Sequence, residues 1–467
     1  MKQLLQSSSR SSIIVGLHDR AFLLNPLKQG EYSELLPEMA KEDGKEQKNL
    51  TGSNGGKEED THTPAKPEFP ASEVQAVAIW EKSDSSNEVW CAVARADKSL
   101  ALYSVSAGEP QRSYRPTLVH RTPKRAACLT FAQAEGFGMI VVGDLVGDAA
   151  AYSLQQPNYS RLLLGHTASM ITSVQTTTTT TTTTTAIQSN GQDNKSGANH
   201  RQLLLTADRD EKIRVSRFPQ TFSIEGYLLG HKAFVTALAP TTIMLTDDNK
   251  NSDETTRHNL CVSCGGDDTV RLWSLDDFRE MCKVEVDKGP DDQKAMPINL
   301  SNVLQSSDNR QVAVVCHGSK RVQIYNILVD PDTKLELVQT IDCTTNQPLA
   351  AVFVQTDTLV VLQSCATAAE EEEGDGNNDT GDDYLLVYKR GEDGHWTPET
   401  SYKTGLPQGI PMPKTVLETD PRTGQLKMEK IQETRGSKTL IPRNMVERIQ
   451  KAKASRSRRK RKKRRGE

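Results

Sequence analysis

Aromatic side chains are scarce, at 5% of the 467 residues, and no stretch approaches the roughly 18 consecutive apolar residues of a membrane helix. A membrane span is therefore not expected. The first residues, Met1-Lys2-Gln3-Leu4-Leu5-Gln6-Ser7, lack the apolar run of a signal peptide, which points to a soluble chain of the cytosol or nucleus. Cysteine is sparse and scattered. Of eight, only Cys261 and Cys264 form a CxxC, and no second CxxC or His pair stands at zinc-ligand spacing. On an alternating strand these two thiols point to opposite faces, so free thiols are expected rather than a metal or redox pair. Glycine-rich turns that lead from a strand into a helix are also missing. Gly52-Ser53-Asn54-Gly55-Gly56 has no strand before it, and Gly143–Asp148 leads into another strand. No HExxH, GxSxG or P-loop occurs. No catalytic residue, cofactor ligand or metal ligand is assigned.

Charge is present but unevenly placed. The net charge is −3, yet nine of the ten residues from 456 to 465 are Lys or Arg, so the rest of the chain is near −12. A polyanion contact is expected at the C-terminus and not over the body. Four stretches read as disordered insertions: about 29–70, 175–200 with its ten-Thr run from Thr176 to Thr185, 241–257, and 366–383 with Glu370–Glu373. Their composition leaves little apolar surface to offset the entropy of ordering. The Thr run has β-propensity but no alternation, hence no face to bury.

Between the insertions the apolar period is near 2. Val74–Trp80, Trp90–Ala94 and Leu100–Val105 form one block. Cys128–Phe131, Met139–Val142 and Ala149–Leu154 form the next. Four further blocks have inner strands at Gln202–Thr206, Asn259–Ser263, Gln311–Cys316 and Thr358–Gln363. Their following strands lie at Lys212–Arg217, Thr269–Ser274, Arg321–Ile327 and Tyr384–Lys389. Short strands without helical periodicity argue an all-β fold. Removing the insertions and the tail leaves on the order of 300 residues, or about 43 for each of seven units, the size of a propeller blade. Ile13–Leu17 and Ala21–Leu24 supply strands for the seventh blade, and the chain beyond Glu392 is the candidate for a closing strand. The expectation is a propeller over residues 1–403 and an extension over 404–467.

Two blocks begin with Gly-His pairs, Gly165-His166 and Gly230-His231. In the second, His231 is followed by Ser263 and by Gly266-Asp267-Asp268-Thr269-Val270-Arg271-Leu272-Trp273, which resembles a WD40 repeat. The resemblance implies a seven-bladed WD40 β-propeller and a buried hydrogen-bonded tetrad of His231, Ser263, Asp267 and Trp273. A buried imidazole and carboxylate need such partners, so these groups are structural and not a general base. The preceding block offers His166, Thr206 and Asp210, but Ser216 stands where the Trp belongs.

That incomplete block carries Ala207-Asp208-Arg209-Asp210-Glu211-Lys212-Ile213-Arg214-Val215-Ser216, then Ser223-Ile224-Glu225, Leu229-Gly230-His231 and Phe234-Val235. The ten-residue run resembles the WD-repeat non-catalytic subunit of tRNA (guanine-N7-)-methyltransferase. Leu145-Val146-Gly147-Asp148 stands where that family often has Lys-Ser-Gly-Asp. The resemblance implies a heterodimer in which this chain binds and stabilises a catalytic subunit. The catalytic subunit binds S-adenosylmethionine and forms 7-methylguanosine in the tRNA variable loop. Glu211, Lys212 and Arg214 are then the partner contacts. Taken from the residues alone, a solvated turn is the favoured reading, and the ten-residue match turns it to the interface. The basic tail, Arg456, Arg458, Arg459, Lys460, Arg461, Lys462, Lys463, Arg464 and Arg465, fits nuclear import and an RNA-backbone contact. Competing readings are a generic WD40 adaptor, as in ribosome assembly or ubiquitin ligation, and a propeller enzyme with a central pocket.

Overall fold

The computed structural model describes residues 3–7, 12–28, 30–37, 72–81, 88–106, 113–134, 137–167, 169–182, 198–246, 255–288, 295–306, 310–329, 333–343, 346–364, 384–400 and 406–407. Among them every regular element is a β-strand, and the strands form seven separate sheets.

Blade 1 contains β1 (Leu5–Ser7), β2 (Ile13–Leu17), β3 (Arg20–Leu24) and β4 (Tyr32–Leu35). Blade 2 contains β5 (Val74–Glu81), β6 (Glu88–Arg95), β7 (Ser99–Ser106) and β9 (Leu118–Arg121). The short β8 (Ser113–Tyr114) leaves blade 2 to pair in parallel with β4. Blade 3 is β10 (Ala126–Ala134), β11 (Phe137–Asp144), β12 (Asp148–Ser153) and β13 (Ser160–Gly165). Blade 4 is β14 (Ile171–Thr182), β15 (Ala198–Asp208), β16 (Lys212–Arg217) and β17 (Ile224–Leu229). Blade 5 is β18 (Val235–Thr246), β19 (Thr255–Gly265), β20 (Thr269–Ser274) and β21 (Glu280–Glu285). Blade 6 is β22 (Met296–Leu300), β24 (Arg310–His317), β25 (Arg321–Leu328) and β26 (Lys334–Asp342), with β23 (Leu304–Gln305) beside β24. Blade 7 is β27 (Pro348–Val354), β28 (Thr358–Gln363), β29 (Leu385–Arg390) and β30 (Trp396–Pro398). The seven-bladed β-propeller is therefore observed.

Each blade is contiguous in sequence, and the ring closes by packing. Strand β1 packs against β27 on one side and β5 on the other. Amide side chains tighten the join. Gln3 donates to the Leu129 carbonyl at 3.2 Å and accepts from the Leu129 N–H at 3.0 Å, while Gln6 accepts from Ile79 N–H at 2.9 Å. The segment beyond Glu392 does supply a strand, β30, but as the outer edge of blade 7. There the buried Trp396 indole donates to Gln311 of blade 6 at 3.1 Å.

The expected disorder of the insertions needs correction where strands occupy them. Within 29–70, β4 alternates half-buried and buried residues, and Glu34 on β4 pairs with Arg20 at 2.7 Å. Within 175–200, β14 pairs residue by residue with β15, from Thr176↔Leu204 to Thr182↔Ala198. Thr176–Thr182 lack alternation but not a partner: β-branched residues suit the ladder, Thr179 is fully buried, and Thr176 donates to the Phe131 carbonyl at 2.8 Å. Within 241–257, β18 and β19 continue their hairpin to Thr246↔Thr255. Blade 6 supports that extension: Gln305 bonds Thr241, and Arg310 donates to the Met244 carbonyl at 3.1 Å. Residues 38–71, 183–197, 247–254 and 365–383 lie outside the described residues, as does the extension 404–467 apart from 406–407.

Candidate partner-binding site

The turn between the second and third strands of a blade is the recurring device. Its apex has a left-handed backbone at Lys98 (φ 70°), Gly147 (φ 114°), Glu211 (φ 72°) and Asp268 (φ 61°) in blades 2 to 5. In blade 3, Asp144 Oδ1 accepts from the N–H groups of Val146, Gly147 and Asp148 at 2.8, 2.8 and 2.9 Å. A Cβ on Gly147 would stand 2.3 Å from the Ser169 carbonyl oxygen, which accounts for glycine there.

Blade 5 assembles the complete tetrad. Trp273 Nε1–H donates to Ser263 Oγ at 2.8 Å, Ser263 Oγ lies 2.7 Å from His231 Nε2, and His231 Nδ1 lies 2.9 Å from Asp267. Because Trp only donates and a carboxylate only accepts, protons point one way along the chain, from Trp273 to Asp267. Asp267 also accepts from Lys232 N–H, Thr269 and Arg271. Burial alone would raise its pKa, but the bonds and charge of His231, with those from Lys232 and Thr269, hold it well below the usual carboxylate range. Every polar group of the set is satisfied internally, the signature of a structural network.

Blade 4 is built differently. His166 Nδ1 meets Asp208 at 2.8 Å and its Nε2 meets Thr206 at 2.8 Å. The carboxylate is thus Asp208, not Asp210 as the alignment of the repeats suggests. Asp208 ends β15 on the same face as Thr206, and its other oxygen accepts from the N–H groups of Asp210 and Lys212. Ser216, in the place of the Trp, is fully buried and accepts from Arg214 Nε at 2.9 Å; Arg214 Nη2 donates to the Thr221 carbonyl at 2.9 Å.

Of the three sequence-predicted contacts, the structure leaves Glu211 and Lys212 exposed on a turn held by Asp208. Arg214 is half-buried and ties down residues 216–221 within its own blade. The basic residues 456–465 lie outside the described residues. Cys261 and Cys264 sit in separate apolar cores on opposite faces of β19, and burial pushes each thiol up to about 12. A central cavity of about 440 Å³ is lined by amides, hydroxyls and aliphatic groups, among them Gln3, Thr172, Asn299 and Gln305. Among the described residues its one ionisable lining group is the Cys128 thiol, which burial also pushes up to about 12.

Sequence reasoning missed the side of blade 4 next to this turn. Register pairs Lys212 with Leu229 and Arg214 with Tyr227, so an exposed outer strand shares the face of the charged turn. The signal was present as the apolar residues Phe222, Ile224, Tyr227, Leu228 and Leu229, but composition does not say which face is left uncovered.

The family model described as tRNA methyltransferase TRM82 WD40 domain matches residues 154–388. The tRNA (guanine-N(7)-)-methyltransferase non-catalytic subunit wuho of Aedes aegypti is 27% identical over 346 residues, covering 72% of this chain and 73% of that protein. The non-catalytic subunit WDR4 of Homo sapiens is 28% identical over 254 residues, covering 54% of this chain and 52% of that protein. The match thus spans most of the mosquito relative but about half of the human one. Among solved structures, the WD40 beta propeller domain of Doa1 aligns over 77% of this chain and 88% of that chain, with a TM-score of 0.45 and 11% identity.

Proposed function

The chain belongs to the tRNA methyltransferase TRM82 WD40 domain family, and on that premise we propose that it is the non-catalytic scaffold of a heterodimeric tRNA (guanine-N7-)-methyltransferase. The partner subunit binds S-adenosylmethionine and transfers the methyl group. This chain holds that partner in its active form. The observation that carries the reading is the run Ala207–Ser216, which presents Glu211 and Lys212 outward on a turn whose backbone is clamped by Asp208. A fixed pair of opposite charges sets orientation and on-rate at an interface.

The test is co-expression with the organism's S-adenosylmethionine-dependent tRNA methyltransferase. A one-to-one complex that methylates tRNA, together with inactivity of this chain alone, is expected. Lys212→Glu should weaken the complex by about 2–5 kcal/mol if the ammonium is desolvated there, read by calorimetric titration with thermal stability unchanged. Undiminished affinity would remove the turn from the interface. The basic residues 456–465 serve nuclear import, with contact to the tRNA backbone as a second use. Deleting residues 456–467 should move a tagged chain out of the nucleus and flatten the salt dependence of tRNA binding.

A further inference from the structure

We propose that the outer strand of blade 4, β17 with the preceding Phe222, is the apolar half of the docking surface, covered in the complex by an apolar segment of the catalytic subunit. The inference rests on the scaffold reading above and adds a second contact to it.

Four large hydrophobic residues stand exposed within eight positions: Phe222 at 79%, Ile224 at 44%, Tyr227 at 40% and Leu229 at 63%. This strand is not frayed from the blade. Leu228, between the exposed residues, is fully buried in one core with Ile213, Val215 and Trp273. One face of β17 therefore packs towards blade 5, and the opposite face presents apolar groups where a solvated outer strand normally carries polar ones. Blade 5 differs: the exposed positions of β21 are Glu280, Lys283 and Glu285. An apolar cluster of this kind on an outer edge marks an interaction surface.

The register joins this face to the turn proposed above to meet the catalytic subunit. Leu229 lies opposite Lys212 and Tyr227 opposite Arg214, and directly opposed residues of an antiparallel pair share a face. Arg214 in turn holds the Thr221 carbonyl, which sets the position of the next residue, Phe222. The charged turn and the apolar strand are thus one continuous surface. Area makes the same demand. A stable interface covers about 800 Å² on each partner, far more than the two side chains Glu211 and Lys212 supply. Full burial of an aromatic side chain covers about 150–250 Å², so the exposed fractions of Phe222 (79%), Tyr227 (40%), Ile224 (44%) and Leu229 (63%) enlarge the contact well beyond the turn.

The experiment titrates the full-length chain with the purified catalytic methyltransferase subunit at about 0.1 and 0.5 M salt. Wild type, Phe222→Ser/Leu229→Asp, the milder Tyr227→Ser/Leu229→Gln, and Lys212→Glu are compared. Unfolding midpoints and sedimentation of each chain alone accompany the titration. Both apolar variants should lose about 30-fold or more in affinity at either salt, with unchanged unfolding midpoints. The Lys212→Glu loss should shrink at high salt, because screening acts on charge and not on apolar contact. Wild-type affinity in the apolar variants, with a loss in Lys212→Glu, overturns this inference and leaves the scaffold reading standing. Failure of wild type to bind the methyltransferase overturns both. Self-association of wild type that the apolar variants abolish assigns the face to a second copy of this chain and overturns the inference as well.

Discussion

Blades 4 and 5 are neighbours built on one plan, and they solve the same problem in different ways. Both bring a His from the preceding connection onto a Ser or Thr of the second strand and a carboxylate, Asp208 at the end of that strand in blade 4 and Asp267 in the turn after it in blade 5. Blade 5 completes the chain with a buried indole, Trp273, which also fills the core between the two blades. Blade 4 has Ser216 in that place and uses Arg214 to engage it and to hold Thr221. Blade 5 is organised for stability. Blade 4 keeps a rigid turn but commits less of its outer half to the interior, and its outer strand is the apolar, exposed one.

The sharpest way to break this comparison is Trp273→Ala. Loss of a fully buried indole and of its bond to Ser263 should cost about 3–5 kcal/mol of stability, measured by urea unfolding. His166→Ala in blade 4 should cost less, about 1–3 kcal/mol, since Asp208 retains the N–H groups of Asp210 and Lys212. Equal losses from the two substitutions would mean that the blades are energetically alike. Arg214→Met should cost about 1 kcal/mol and raise hydrogen-exchange rates in residues 216–223, where a two-bond clamp is lost. Acid separates the blades last. The folded-state pKa of Asp267 is depressed, so its contribution is present above the unfolded value of about 3.9 and declines as pH falls below it. Wild type should therefore lose stability from about pH 4 downward. Asp267→Asn should begin less stable at neutral pH and fall less steeply; an identical acid slope would show that this carboxylate does not set the acid limb.

Much of the architecture was legible because strand periodicity and turn chemistry are local. The second and third strands of blades 4 to 7, the tetrad of blade 5 and the Glu211–Lys212 turn could be placed from residue spacing and from the resemblance it carried, but the segments read as inner strands are the second strands, and the innermost β14, β18, β22 and β27 were not placed. Thr176–Thr182 could not, because their order comes from residue-by-residue pairing with β15 and from the Phe131 carbonyl on the neighbouring blade. Asp208 was passed over for Asp210 because repeat alignment counts positions, whereas the imidazole selects the carboxylate on its own face of the strand.

By itself the sequence determined a ring of short antiparallel strands, one complete structural tetrad, and a charged turn resembling that of a tRNA methyltransferase subunit. The strands and the turn depend on neighbours within a few residues, and the tetrad on the spacing within one repeat. Tertiary structure decided how the ring closes, which insertions become strands, where Arg214 is bound, and that the apolar face of β17 is left uncovered beside Lys212. Each of these depends on groups brought together from distant parts of the chain, and burial of a face is set by what packs against it and not by the residues that compose it.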